Sequence, residues 1–318
     1  MTQATRRTRP ISNGMKIVLT GGGSGGHFYP LIAVAEKIHD IAAERKLLMP
    51  TLIHLGPEPF DHAALIEQEI VHRYAPAGKM RRYASPLAII DFLKTTAGVI
   101  HSIFQLYFIY PDVILSTGGY AAFPTLVAAR ILNIPVVIYD ADAKPGRVSL
   151  WSSKFARAIA VAHPDATHGF PAKVQGKIAH VGHPIRKEIE YPAKEGGHEF
   201  LKIDPTVPTI FVIGGSLGAQ VLNNVIIDTL PLLIEKYNVI HQTGRDNLKE
   251  TEGVAHLILQ HNRNDNRYRA FGLLNTLALR MTAGVTNLIL SRAGSGTIFE
   301  IASWGIPSIL VPIPLDVS

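Results

Sequence analysis

The residues of this chain best suited to chemistry stand in and beside glycine-rich turns. The run Gly21-Gly22-Gly23-Ser24-Gly25-Gly26 ends at His27, and Gly214-Gly215-Ser216-Leu217-Gly218-Ala219 repeats the pattern far along the chain. Each run follows a short apolar segment and precedes a helical pattern. Each therefore puts backbone N–H groups at a helix N-terminus, where the helix dipole favours an anion. Glycine is needed because a side chain would keep a phosphate from approaching the backbone. A single turn of this kind is compatible with a tight connection that binds nothing. Two, one opening each half, point to phosphate. The first run formally matches G-x-G-x-x-G at Gly21, Gly23 and Gly26, yet Glu58, the nearest candidate for the acid expected about 20 residues on, lies too far along. That argues against a nicotinamide dehydrogenase. His27 stands at the mouth of its turn, and an imidazole can accept a proton near neutral pH.

A third segment, Ser291-Arg292-Ala293-Gly294-Ser295-Gly296-Thr297, ends a strand and starts a helix that carries Glu300 one turn in. Its carboxylate is placed either to accept hydrogen bonds from the two hydroxyls of a ribose or to sit solvated where the helix dipole favours it. Asp140-Ala141-Asp142 matches the D-x-D that holds a metal and a nucleotide diphosphate in one class of sugar transferases. Two acids so spaced are common by chance, and these lie away from the second-half turns. No metal is assigned and no cofactor is required, although the pattern would admit a divalent cation.

These groups need rigid supports. Lys16–Thr20, Thr51–Leu55, Val113–Ser116 and Ile134–Tyr139 read as strands in the first half. Thr209–Ile213, Val239–Gln242, Asn287–Ser291 and Ser308–Pro312 read as strands in the second. Helical spacing runs from Pro30 through Leu31, Val34, Ala35 and Ile38, with proline in the first turn. Further helices are expected after Gly118-Gly119 and from about Gln220. Continuous apolar strands alternating with helices predict an α/β fold with parallel sheets covered on both faces. A length of 318 residues fits two domains. The expected division is a disordered tail over 1–13, a first domain over 14–185 and a second over 186–318, with Tyr191–Pro208 as a loop.

A hydrophobic share of 47% with 18% charged residues excludes a disordered chain. The absence of cysteine excludes a disulfide framework, a thiolate nucleophile and cysteine-ligated metal sites, and it fits a reducing cytoplasm. No signal peptide is read at the start, where Arg6, Arg7 and Arg9 run into Pro10. The net charge of +6 is uneven: residues 1–185 hold 19 Lys and Arg against 12 Asp and Glu, while the remainder is close to neutral. Dense basic clusters interleaved with aromatics are missing, so nucleic acid is not an expected partner. A basic half suits anionic substrates or a membrane surface. Pro86–Tyr110 is nearly long enough to span a bilayer, which takes about 20 apolar residues. Asp91, Lys94, His101 and Gln105 interrupt it, so a transmembrane helix is rejected. It reads either as one or two helices packed on the first sheet or, with Lys79, Arg81, Arg82 and Tyr83 beside it, as a surface resting on anionic lipid.

Taken together, these segments resemble the MurG family, transferases that add N-acetylglucosamine to lipid I in peptidoglycan synthesis. The resemblance runs from about Lys16 to Pro312. Gly22–His27 is similar to the family's G-G-T-G-G-H, and Gly118-Gly119-Tyr120 to its G-G-Y. Gly182-His183-Pro184-Ile185-Arg186 is similar to G-N-P-[VI]-R, with His for Asn. Gly214–Ala219 resembles G-G-S-Q-G-A, with Leu217 for Gln. His241-Gln242-Thr243-Gly244 matches H-Q-[ST]-G, and Arg292-Ala293-Gly294 with Thr297 and Glu300 matches R-[SA]-G-x-x-T-x-x-E.

The resemblance implies the GT-B fold, two Rossmann-like domains facing each other across a cleft, and an inverting transferase using UDP-N-acetylglucosamine. Arg186, Gly215 and Ser216 would hold the diphosphate, helped by the helix start at Ala293, Gly294 and Thr297. Glu300 would hold the ribose, and Leu273 or Leu274 would lie near the uracil. Ser24, Gly25, Gly26 and Asp142 would receive a polyprenyl-diphosphate-linked sugar, with His27 as the base. The enzyme would sit peripherally on the inner leaflet, at the cytoplasmic face of the membrane. Two departures bear on this: Tyr139-Asp140-Ala141-Asp142 replaces the family's H-E-Q-N, and Leu217 removes a polar side chain. The family also continues beyond the strand Ser308–Pro312 with a D-x-Q element, of which Asp316 would be part, and a long helix, so the chain reads as a fragment. Other readings keep the fold and change the acceptor to a glycolipid, or keep the UDP-sugar site without turnover. A UDP-N-acetylglucosamine 2-epimerase shares the fold but would not need the apolar stretch.

Overall fold

The computed structural model describes residues 14–79, 87–215 and 219–312. The expected tail, Arg81, Arg82, Tyr83, Ser216, Leu217 and Asp316 lie outside the described residues.

Seven strands build the first sheet: β1 (Lys16–Thr20), β2 (Thr51–Gly56), β3 (Val71–Tyr74), β4 (Val113–Ser116), β5 (Val136–Asp140), β6 (Ala158–Val161) and β7 (Ile178–His180). They are all parallel, in the order β3-β2-β1-β4-β5-β6-β7. The connections carry α1 (Gly25–Glu44), α2 (His62–Glu67), α3 (Leu87–Ile109), α4 (Gly119–Ile131) and α5 (Arg147–Ser153). Two short helices, α6 (Lys187–Glu190) and α7 (Gly197–Leu201), lead to a second sheet. It comprises β8 (Thr209–Ile213), β9 (Asn238–Gln242), β10 (Tyr268–Phe271), β11 (Leu288–Arg292) and β12 (Ser308–Val311). These strands are also parallel, in the order β10-β9-β8-β11-β12. Their helices are α8 (Gln220–Leu233), α9 (Leu248–Leu259), α10 (Thr276–Val285) and α11 (Ser295–Trp304). Both units are Rossmann-like α/β sheets, as the alternation of apolar strands and helices predicts.

The strands are apolar throughout because both faces of each sheet are covered. In β1, Ile17 and Leu19 point with Phe28 and Leu31 into one core, while Val18 points the other way, with Leu55, Ile114 and Leu126. The second sheet repeats this: Phe211 and Ile213 pack with Leu274 and Ile301, and Val212 packs with Leu222 and Leu230. In each sheet the chain leaves its first strand toward one edge and later returns to the other side. The switch point lies between β1 and β4, which end together at Thr20 opposite Ser116. In the second sheet it lies between β8 and β11, where Ile213 pairs with Ser291. Crevices for ligands open at such points, beyond the carboxyl ends of the strands.

Three details differ from expectation. Helix α1 starts at Gly25, so Pro30 lies within it rather than in its first turn. Glycine there can turn directly out of the strand, and the proline costs the helix one backbone bond. The segment Tyr191–Pro208, expected as a loop, contains α7, whose Leu201 packs with Ile203 into the second core. The third detail is α3, a single helix of 23 residues, most of which does not pack on the sheet. Only Gly98, Ser102 and Leu106, a stripe with i, i+4 spacing, are buried. Leu87, Ile89, Ile90, Phe92, Leu93, Ile100, Phe104, Tyr107 and Phe108 are exposed.

Gly98 is where α3 seats most closely. A Cβ there would strike the Pro76 carbonyl oxygen and press on the Pro124 ring. Gly98→Ala is expected to destabilise the protein by about 1–3 kcal/mol through this overpacking, read as a lower urea midpoint with an unchanged slope. An unchanged midpoint would show that α3 is not docked this way.

Candidate active site

At the first switch point the turn after β1 interlocks with the turn after β4. Gly21 lies against Thr117 so closely that a Cβ would strike its hydroxyl, and one on Gly23 would meet the Tyr120 ring at 2.5 Å. Gly118 and Gly119 have φ near +77° and +76°, a region that suits glycine. A Cβ on Gly119 would also touch the His27 ring, at 3.3 Å from Cδ2. Thr117 closes the lock from both directions. Its hydroxyl donates to the His27 carbonyl at 2.5 Å, and its own carbonyl lies 2.8 Å from His27 Nδ1. A carbonyl only accepts, so Nδ1 carries a proton, and in the neutral ring the lone pair is the one on Nε2. His27 is half-buried and lines the cleft, held in the tautomer a base needs.

At the second switch point α11 begins after β11, with Gly294 as its N-cap and Glu300 on its second turn. Burial pushes the Glu300 carboxyl up to about 7, against the opposing pull of the Arg186 guanidinium. Arg186 is only 6% exposed. Its guanidinium stacks over the Tyr29 ring at 3.8 Å, and Nη1 donates to the Thr276 hydroxyl at 3.4 Å. Its Nε is buried without a hydrogen-bond partner, and among the described residues Arg186 forms no salt bridge. A desolvated cation with an unmade hydrogen bond is costly unless an anion completes it.

The two switch points open onto one cleft. Ser24, Gly25, Gly26, His27 and Asp142 line it from the first sheet's side, and Gly215, Leu273, Leu274, Gly294, Thr297 and Glu300 from the second's. Arg186, from the connecting segment, lies between them. The structure thus brings together every candidate except two. Ser216 lies outside the described residues. Ala293 does not line the cleft, and its N–H donates to the Val311 carbonyl at the end of β12. The Leu274 N–H is bound to Gln242 Oε1 at 3.1 Å, and its side chain packs with Phe211 and Ile213 in the second core at the floor of the cleft. The D-x-D pair is split. Asp140 is buried and accepts from the Asp142 and Gly146 backbones and the Ser149 hydroxyl, so it braces its loop. Asp142 alone reaches the cleft. Among the described residues no cluster of His, Asp or Glu is arranged to hold a metal.

Other residues of the site escaped the sequence reading. Tyr29 supplies the ring under Arg186, and burial raises its hydroxyl to about 12, so it stays a neutral phenol. Ser295 donates across the cleft to the Ala141 carbonyl, with His163 Nε2 3.4 Å from its hydroxyl. Phe299 stacks on His183 at 5.1 Å and tilts against His163 at 5.0 Å. Lys187, next to Arg186, binds Glu36 through its N–H at 2.9 Å and Asp40 through its ammonium at 2.6 Å, both on α1. Each of these contacts joins residues more than 100 positions apart or faces the opposite half, so no local pattern announces them.

Comparison with known proteins gives a consistent result. The glycosyltransferase family 28 N-terminal domain matches residues 17–161, and the glycosyltransferase family 28 C-terminal domain matches residues 209–317. A UDP-N-acetylglucosamine--N-acetylmuramyl-(pentapeptide) pyrophosphoryl-undecaprenol N-acetylglucosamine transferase of Treponema denticola is 32% identical, covering 93% of this chain and 77% of its own. The crystal structure of Acinetobacter baumannii MurG superposes with a TM-score of 0.58 at 24% identity, over 95% of this chain and 79% of that one. A UDP-GlcNAc 2-epimerase of Methanocaldococcus jannaschii superposes with a TM-score of 0.61 at 15% identity, over 93% and 83%. The fold is the GT-B arrangement, and the fold alone does not separate transferase from epimerase.

Glu300 offers a test that needs no ligand. Its folded value near 7 exceeds the ordinary value of 4.5, so between those pH values the folded state holds a proton that the unfolded state has lost. Its contribution to stability therefore falls as pH rises from 4.5 to 7. Glu300→Gln is expected to raise the melting temperature relative to the native sequence at pH 8 and to leave it nearly unchanged at pH 4.5. An equal shift at both would contradict the buried carboxyl.

Proposed function

The chain belongs to glycosyltransferase family 28, and from that premise we propose that it moves N-acetylglucosamine from UDP-N-acetylglucosamine to the N-acetylmuramyl sugar of an undecaprenyl-diphosphate-linked acceptor. The observation that carries this reading is the lock on His27: Thr117 holds its ring in a cleft that also holds a desolvated arginine and a helix N-terminus. A base on one side and positive potential on the other are what a direct displacement at a sugar carbon requires.

In this reading His27 Nε2 takes the proton of the acceptor hydroxyl as its oxygen bonds to the sugar's C1. The bond from C1 to the β-phosphate oxygen breaks, and UDP leaves with the electron pair. One displacement inverts C1. Arg186, Gly215 and Ser216, and the start of α11 at Gly294 and Thr297 stabilise the charge that grows on the leaving diphosphate. Glu300 accepts from the ribose hydroxyls, and Leu273 or Leu274 lies near the uracil. Ser24, Gly25, Gly26 and Asp142 receive the acceptor.

The acceptor's lipid tail gives α3 a role. The helix is apolar and long enough to cross a bilayer by length and composition alone, yet its Gly98–Ser102–Leu106 stripe is committed to the domain. The exposed face, with Phe92 at 71% and Phe108 at 79% exposure, suits a helix lying in the membrane interface. Exposed Lys79 precedes it, and the first half carries the excess of basic residues that anionic lipid attracts. The enzyme would then work peripherally at the cytoplasmic face, in keeping with a cysteine-free chain and a nucleotide-sugar donor.

Transfer of radiolabelled N-acetylglucosamine to lipid I tests the reaction. Labelling of diacylglycerol in place of lipid I would overturn the acceptor assignment. His27→Ala is expected to lower kcat by about 10²–10⁴-fold while leaving the affinity for UDP-N-acetylglucosamine within about two-fold; parallel losses in both would remove the base. The double substitution Phe104→Glu, Phe108→Glu is expected to abolish sedimentation with anionic vesicles and to spare UDP binding. Undiminished sedimentation would exclude α3 as the membrane face.

A further inference from the structure

Two positions at which this chain departs from the family motifs touch each other. Tyr139 stands where the H-E-Q-N segment begins with His, and His183 stands where G-N-P has Asn. The Tyr139 hydroxyl lies 2.7 Å from His183 Nδ1, and among the described residues its other acceptor, the Gly182 carbonyl, is 3.5 Å away. Tyr139 is buried, which raises its hydroxyl well above the ordinary phenol value and keeps its proton in place. At 2.7 Å Nδ1 is a far better acceptor for that single proton than a carbonyl at 3.5 Å, so the distances assign the hydroxyl as donor and Nδ1 as acceptor, with the imidazole's own proton on Nε2. Burial also holds His183 down at about 4, so the ring is neutral at physiological pH.

The ring cannot turn away from this arrangement easily. One face stacks on Phe299 of α11 at 5.1 Å with an interplanar angle of 8°. Nε2 points to the first turn of the same helix, where a Cβ on Gly296 would come within 3.5 Å of it. Glycine leaves that space open. Among the described residues Nε2 has no hydrogen-bond partner, and it is not among the atoms buried from solvent. His183 lines the same cleft as Arg186 and the α11 N-terminus.

We propose that His183 Nε2–H donates a hydrogen bond to the diphosphate of the nucleotide-sugar donor, and that Tyr139 is the positioning residue that fixes the tautomer. The inference rests on the donor reading given above. His183 adds a neutral donor to a site whose other supports are a cation and a helix dipole. A neutral ring beside buried Arg186 adds no charge repulsion, and a hydrogen bond to a charged acceptor is among the stronger kinds. Tyr139 acts only through His183: without its hydroxyl, Nδ1 is free to take the proton and Nε2 would face the diphosphate with a lone pair.

Calorimetric titration with UDP and with uridine separates the parts of the ligand. His183→Ala is expected to weaken UDP about 10-fold or more and to leave uridine unchanged. His183→Gln, whose amide nitrogen reaches the position of Nε2, should restore most of the loss. His183→Asn, whose amide matches Nδ1, should not. Imidazole nitrogen NMR of the unliganded native sequence should show the Nε2–H tautomer, and Tyr139→Phe should shift it toward Nδ1–H with a partial loss of UDP affinity. Equal losses of UDP and uridine, or an Nδ1–H tautomer in the native sequence, would overturn the inference while leaving the donor site in place. If the native sequence bound neither UDP nor UDP-N-acetylglucosamine, the donor reading itself would fall, and this inference with it.

Discussion

Everything at the site depends on where two parallel sheets reverse their order. A parallel strand delivers its chain to the same edge as its neighbours, so loops following adjacent strands crowd together there. Between β1 and β4, and again between β8 and β11, the crossovers depart to opposite sides and leave a crevice. The glycines are consequences of that crowding. Gly21 and Gly23 make room for Thr117 and Tyr120, and Gly119 makes room for His27. Only backbone that can pass this close lets a threonine carbonyl fix the tautomer of an imidazole at the cleft.

The second dependence is on how the halves are held. The segment from Gly182 to Glu190 is more than a tether. Arg186 rests on Tyr29, Lys187 is bound to Glu36 and Asp40 of α1, and the Ile189 carbonyl accepts from Trp304 of α11 at 2.7 Å. From the other direction α11 sends Ser295 to Ala141 and sets Phe299 between His163 and His183. The helix whose N-terminus faces the cleft is thus braced by the opposite half. Any change in the angle between the halves would move the α11 terminus relative to His27, so donor and acceptor geometry are mechanically linked.

Much of this was legible in the sequence, for a reason that also marks its limits. Strands such as Lys16–Thr20 and Thr209–Ile213 are apolar on both faces, and glycine turns follow them directly, so both sheets and most of the cleft could be read from short windows. The edge strand Val71–Tyr74, half polar and exposed, and the alanine-rich Ala158–Val161 have no such contrast and went unread. The apolar stretch ending at Tyr110 was legible as helix, but which side of it the domain would bury was not. A stripe of one glycine, one serine and one leucine sets the docking, and the large side chains face outward. Asp140 shows the reverse case, a pair of acids that matches a metal-site pattern by spacing alone while one member is consumed by backbone N–H groups. The contacts of Tyr29, Ser295 and Phe299 depend on the two halves meeting, which no local window records.

The account's central claim is that the second switch point and Arg186 hold the nucleotide, leaving His27 and the first switch point to the acceptor. A crystal structure with UDP bound tests it most directly. The diphosphate should lie at the start of α11 within hydrogen-bonding distance of Arg186, with the ribose hydroxyls on Glu300. A diphosphate seated instead on Ser24, Gly25 and Gly26 beside His27 would assign the nucleotide to the wrong half and contradict the account.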